Sequence, residues 1–132
     1  MREPDYQERT HAELRKALRW AMRKMCLQDW TVQLCLDNAA ERKFGPFDPP
    51  DEASGRANLY AHGHHAVIGL WLDRCKKYHE EPLCVLFHEV AHISLWAIDM
   101  VDEGWKLTPH WEFLANVIAK LLFDLWGHEQ EA

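Results

Sequence analysis

A chain of 132 residues is long enough for one domain with a real core, and an apolar content of 48% excludes wholesale disorder. A formal net charge of −6 excludes the basic footprint that a general nucleic-acid binder needs. No apolar run reaches the roughly 18 residues required to span a membrane, so no membrane association is expected.

The opening stretch, MREPDYQERT, is polar and carries no apolar export core. A cytoplasmic setting is therefore expected, with the four cysteines (Cys26, Cys35, Cys75, Cys84) as free buried thiols. None of them forms a C-x-x-C pair, which rules out a zinc ribbon.

Residues 5–27 are predicted to form an amphipathic helix. Leu14, Ala17, Leu18, Ala21, Met22 and Met25 recur at helical spacing, and the basic residues Arg15, Lys16, Arg19, Arg23 and Lys24 form a solvated face. WTVQLCLD follows, where Val32, Leu34 and Leu36 alternate in the manner of a strand.

Residues 38–55, with a glycine and three prolines before Ser54, read as one long loop, and its proline-rich part at 45–50 is a candidate cover for a cleft. A second strand is predicted at 56–61, a hairpin turn at His62-Gly63-His64-His65, and a third strand at 66–73. The third strand reads as an ordinary buried strand, and a place at the edge of the sheet, where an extended peptide would add to it, is compatible with that.

A polar stretch at 76–82 leads to Pro82, which suits the first turn of a helix over about 82–97. Residues 99–107 read as a connector. Thr108 and Pro109 then make a cap and first turn for a last helix over 109–126, ending at Gly127. No repeat or low-complexity segment interrupts this order of helix, three strands, helix, helix. The expected class is α+β with a small three-stranded sheet, in a single domain over 1–132.

The chemistry concentrates in CVLFHEVAHISL, residues 84–95. Histidine and glutamate in so apolar a helix are costly unless something satisfies them, and a metal ion does so. His88 and His92 are four residues apart, about 40° around a helix, so both imidazoles point the same way one turn apart. Glu89 lies about 100° from His88, beside the metal and not on it, where a general base for water belongs. Leu83, Leu86, Phe87, Val90 and Ala91 fall on the opposite arc and are expected in the core. H-E-x-x-H on a helix is the pattern of a zinc peptidase.

A third ligand is expected in Glu112, twenty residues after His92 in the first turn of the last helix. Ala115, Asn116 and Ala119 share its face. The alanines allow close helix approach, and Asn116 is placed to orient a ligand histidine. Leu114, Ile118, Leu121, Leu122 and Leu125 are expected to pack into the core. Asp99, Asp102, Glu103 and His110 are the alternative ligands. The histidine-rich turn at 62–65 suggests a second metal site, against which stands an ordinary exposed turn.

The arrangement FHEVAH followed by EFLANVIAKLL resembles the small ImmA/IrrE-type metallopeptidases of bacteria and their phages, zincins of the gluzincin type. There an H-E-x-x-H helix precedes a helix bearing E-x-x-A-N, here Glu112, Ala115 and Asn116. The resemblance is specific over 84–122 and covers the remainder in layout only. It implies a minimal zincin-like fold, zinc held by His88, His92 and Glu112, and Glu89 as the base in hydrolysis of a peptide bond. The expected substrate is a specific intracellular protein or peptide.

A donor to the reacting carbonyl oxygen is also required. Tyr60, His62, His64, His65, Tyr78 and His110 are candidates, among which the sequence does not choose. A zincin-fold module that docks to a partner without cleaving it is the alternative function. Substrate identity and oligomeric state are left open by the sequence.

Overall fold

The computed structural model describes residues 4–44, 53–60, 64–102 and 108–131, and their side chains except at 98–102, 108–110 and 131. Within them the chain is α+β. The helices are α1 (His11–Lys24), α2 (Asn38–Phe44), α3 (Leu72–Lys77), α4 (Pro82–Asp102) and α5 (Thr108–Glu131). The strands are β1 (Thr31–Leu36), β2 (Gly55–Tyr60) and β3 (His65–Leu70). No described helix is long and apolar enough to cross a membrane.

The sheet order is β1-β3-β2, with β3 parallel to β1 and antiparallel to β2. The third strand is thus central, which fits a buried strand and corrects the place at the edge. Its near-continuous apolar run has a physical reason: both of its faces are covered, as in strands flanked by helices on two sides. Ala66, Ile68 and Leu70 join the main core with Leu86, Phe87 and Val90 of α4, whereas Val67 packs with Ala40 and Phe44 of α2. Strand β2 lies at the edge beside α4. Its Gly55 is required there, since a Cβ would stand 2.6 Å from Val85 Cγ1.

Two short helices replace expected coil and strand. Residues 38–44 form α2, and the long loop predicted from residue 38 is shorter by that amount. Ala39, Ala40 and Glu41 are good helix formers, and Phe44 docks over Gly69, where a Cβ would meet its ring at 2.5 Å. Strand β3 stops at Leu70 because α3 starts at Leu72, whose amide donates to Asp37 Oδ1 at 2.8 Å. The proline-rich stretch at 45–50 lies outside the described residues.

Helix α1 begins at His11, later than expected, because the Thr10 hydroxyl accepts from the Glu13 amide at 3.0 Å and caps it there. Helix α4 runs on to Asp102, through the start of the predicted connector. Helix α5 passes through Gly127 to Glu131. Trp126 packs edge-on against Trp20 at 5.2 Å, and Glu129 pairs with Lys24 at 3.1 Å. Those contacts hold a turn that glycine alone would weaken by about 1 kcal/mol.

The start of α4, which carries the chemistry, is fixed by a buried carboxylate. Glu81 accepts from Arg9 Nε at 2.7 Å and from the Leu83 amide. Burial raises its pKa, and the Arg9 and Leu83 hydrogen bonds oppose that. Ser54, at the head of β2, donates its hydroxyl to Glu80 at 2.6 Å and accepts the Trp71 amide at its carbonyl. Edge strand, α3 and the entry to α4 are tied at one place.

Leu83, Leu86, Phe87, Val90 and Ala91 are fully buried, as their arc on α4 predicts. On α5 the expectation mostly fails, since of the five residues assigned to the core only Leu122 is buried. Trp111, Ala115, Ala119, Leu122 and Trp126 are buried, but Leu114, Leu121 and Leu125 are exposed and Ile118 is only partly covered. Both faces of α5 are apolar, and only the one bearing the alanines has a partner among the described residues. Of the cysteines, all free, Cys35 and Cys75 are buried, Cys84 is half-buried and Cys26 is exposed, which corrects the expectation of uniformly buried thiols.

Candidate metal centre

Helices α4 and α5 meet through small residues. Ala115 and Ala119 are buried between them, so the two backbones come close enough for side chains from both to converge. His88 Nε2 and His92 Nε2 are 3.0 Å apart. Glu112 closes the triangle from α5, with one carboxylate oxygen 3.2 Å from His88 Nε2 and the other 2.9 Å from His92 Nε2.

Around an ion with bonds of about 2.0–2.1 Å, the corners of a tetrahedron are about 3.3 Å apart. The three donors are within a few tenths of an ångström of that spacing. Two imidazoles and one carboxylate are also a donor set that zinc accepts with a fourth position open. Among the described residues, these three form the group of histidine, cysteine and acidic side chains able to hold an ion. Each histidine is 19% exposed and Glu112 is 70% exposed, so the site is walled on the α4 side and open on the α5 side.

Glu89 lies in the wall. It is 7% exposed, and burial together with the nearby Glu112 charge pushes its carboxyl up to about 8, with Arg56 acting the other way. A buried carboxyl beside a cluster of ligands is where a proton-transferring group is found. A dication at the neighbouring site would favour its ionised form. Burial and the His88 charge lower the pKa of His92, which keeps its ring neutral and available as a ligand.

Two cavities flank this cluster. One, of about 780 Å³, is bounded by Tyr78, Glu80, Cys84, Asn116 and Lys120, with His88, His92, Glu89 and Glu112 at its inner end. The other, of about 600 Å³, is bounded by Arg56, Ala57, Leu59, Trp96 and Trp111 and also by Glu89, His92 and Glu112. Glu89, His92 and Glu112 thus line both compartments, and His88 lines the larger one alone. Asn116 faces the first compartment, in the place that the spacing on α5 gives it.

The candidate carbonyl-polarising groups separate in space. Tyr78 borders the larger cavity. Tyr60 and His65 stand at the far end of the β2–β3 pair, their rings 5.5 Å apart, and neither is among the residues lining the two cavities. His64 is likewise elsewhere, stacked on Trp30 at 5.1 Å and 3.4 Å from Asp29. His62 and the side chain of His110 lie outside the described residues, as do Glu103 and the side chains of Asp99 and Asp102. Arg56 borders the smaller cavity beside Glu89. Its position on an edge strand next to the H-E-x-x-H helix was the signal available for it, hidden by placing that edge at β3. Cysteine chemistry finds no support at Cys75, whose thiol burial pushes up to about 12.

Comparison of the chain with protein-family models, with curated proteins and with solved structures found no match.

Proposed function

We propose that this chain is a zinc-dependent peptidase that hydrolyses a peptide bond in a protein substrate. The observation that carries the reading is the convergence of His88 Nε2, His92 Nε2 and the Glu112 carboxylate to within 3.2 Å of one another on the wall of the larger cavity, with Glu89 buried beside them. His88, His92 and Glu112 would hold the metal. Bound there, zinc supplies Lewis acidity, which acidifies water and polarises a carbonyl oxygen.

The chain's own residues then have separable roles. Glu89 takes a proton from the attacking water on its carboxylate and passes it to the leaving amine. Its burial excludes bulk water from that transfer and keeps the exchange between carboxylate and substrate. Asn116 orients the ligands from α5. Strand β2, whose outer edge carries no strand among the described residues, offers main-chain groups to an extended peptide lying beside α4.

A second reading is a zincin-type module that docks to a partner without cleaving it. It draws on the outward apolar residues of α5, Phe113 and Leu121 above all, at 68% and 62% exposure. Glu89→Gln separates the two. The peptidase reading expects retained zinc and a fall in peptide hydrolysis by a factor of about 100 or more. Unchanged function in that variant would leave the docking module standing.

A further inference from the structure

The two compartments differ in chemistry. The larger presents Tyr78, Glu80 and Lys120, groups of both charges. The smaller carries Arg56 beside Glu89, His92 and Glu112, and the rest of its lining is apolar or backbone. Ala57 and Leu59 come from the inward face of β2, Trp96 from α4 one turn beyond His92, and Trp111 from the start of α5. Trp111 is buried, and it forms the floor. Trp96 is 42% exposed although α4 is otherwise mostly covered, so its indole stands as a wall and not as core. A tryptophan left partly bare on a concave apolar surface loses contact with water only when something apolar lies against it.

We propose that this compartment is a binding site for one large apolar side chain, aromatic or branched aliphatic, belonging to the residue next to the bond that is cut. The inference rests on the peptidase reading of the adjoining cluster, because His92, Glu89 and Glu112 form the compartment's inner end. At about 600 Å³ it is in the size range of pre-formed ligand pockets and has room for such a side chain and its flanking backbone. Trp96 of α4 and Leu59 of β2 both line it and set its selectivity. An acidic side chain would meet the carboxylates of Glu89 and Glu112 as well as Arg56, and the apolar groups offer it no partner.

The test uses the full chain loaded with zinc, and four hydroxamates: acetohydroxamate, which has no side chain, and those of N-acetylphenylalanine, N-acetylleucine and N-acetylaspartate. Dissociation constants are read by calorimetry. The phenylalanine and leucine compounds are expected to bind about 10–100-fold tighter than the other two, in line with burying one large side chain. Trp96→Ala is expected to remove most of that preference while leaving acetohydroxamate binding and zinc content unchanged. Leu59→Thr reports from β2 in the same way. Equal affinity for all four compounds, or a preference indifferent to Trp96, overturns the proposal.

Failure of every hydroxamate to bind speaks against the metal centre instead. The compartment is then judged on metal-free protein with N-acetylphenylalanine amide and N-acetylaspartate amide, by quenching of tryptophan fluorescence. Phenylalanine-selective quenching lost in Trp96→Ala supports it, and no selective quenching overturns it.

Discussion

Two pairs of histidines invite comparison. His88 and His92 are four residues apart in sequence, and their Nε2 atoms are 3.0 Å apart. His64 and His65 are adjacent, and they are dispersed: one stacks on Trp30 and approaches Asp29, the other packs on Tyr60. The reason is periodicity. A helix returns to the same face after one turn, whereas neighbouring residues at the head of a strand point to opposite faces. Density of histidines along a sequence is therefore a poor guide to which of them converge, and their spacing relative to the local helix or strand is a good one. The histidine-rich turn loses its claim to a second site on these grounds among the described residues.

The contrast breaks most readily at His92. Removing it deletes one of three converging donors, and His92→Ala is expected to lower zinc affinity by more than about 100-fold, since even partners that only orient a ligand cost 10–100-fold. His64→Ala is expected to leave zinc content at the wild-type value. Elemental analysis after dialysis without chelator reads both. Zinc retained in His92→Ala, or lost in His64→Ala, reverses the assignment of the two pairs.

Glu112 sharpens the comparison from the other helix. Its carboxylate is 70% exposed, so an isosteric Glu112→Gln change disturbs no core packing. Zinc binding should weaken by about 10–100-fold, less than at His92 because the two histidines remain. Full occupancy in competition with a chelator would move the third ligand to one of the alternatives, Asp99, Asp102, Glu103 or His110. A smaller effect is expected for Asn116→Ala. It lines the cavity without a place in the donor triangle, and a loss of about tenfold, the low end for a partner that orients a ligand, read in the same competition, fits an orienting role.

How much of this was legible beforehand varies with the physics at each place. The motif helix was readable because amphipathic spacing and metal spacing coincide on it: Leu83, Phe87 and Val90 face inward while His88 and His92 share the other side. Glu112 followed from the Thr108-Pro109 start, which set the phase of α5. The short helices α2 and α3 were hidden, since six or seven residues give too little periodicity to register, and their starts depend on distant partners such as Asp37 for Leu72. Strand order was hidden too. An apolar run such as Ala66–Leu70 fits a central strand as well as an edge one until the covering helices are known. The outward leucines of α5 were misplaced because apolarity on both sides of a helix does not say which side has a partner.

The smallest expected effect lies at the second histidine pair and is one of stability. His64 has φ 50, in the left-handed region, where a side chain costs about 1–2 kcal/mol over glycine. Its stacking on Trp30 returns about 0.5–1.5 kcal/mol. If the residue is structural, those two terms nearly cancel in His64→Gly, and the midpoint of urea unfolding should scarcely move. His64→Ala keeps the backbone strain and loses the stacking, so it should be less stable than wild type by about 1 kcal/mol and less stable than the glycine variant by a similar amount. Metal supplied at saturating concentration should shift wild type and both variants upward equally if, as proposed, the ion binds at the other pair. A zinc-dependent shift that disappears with His64 would return the turn to the list of metal sites and dissolve the distinction drawn between the two pairs.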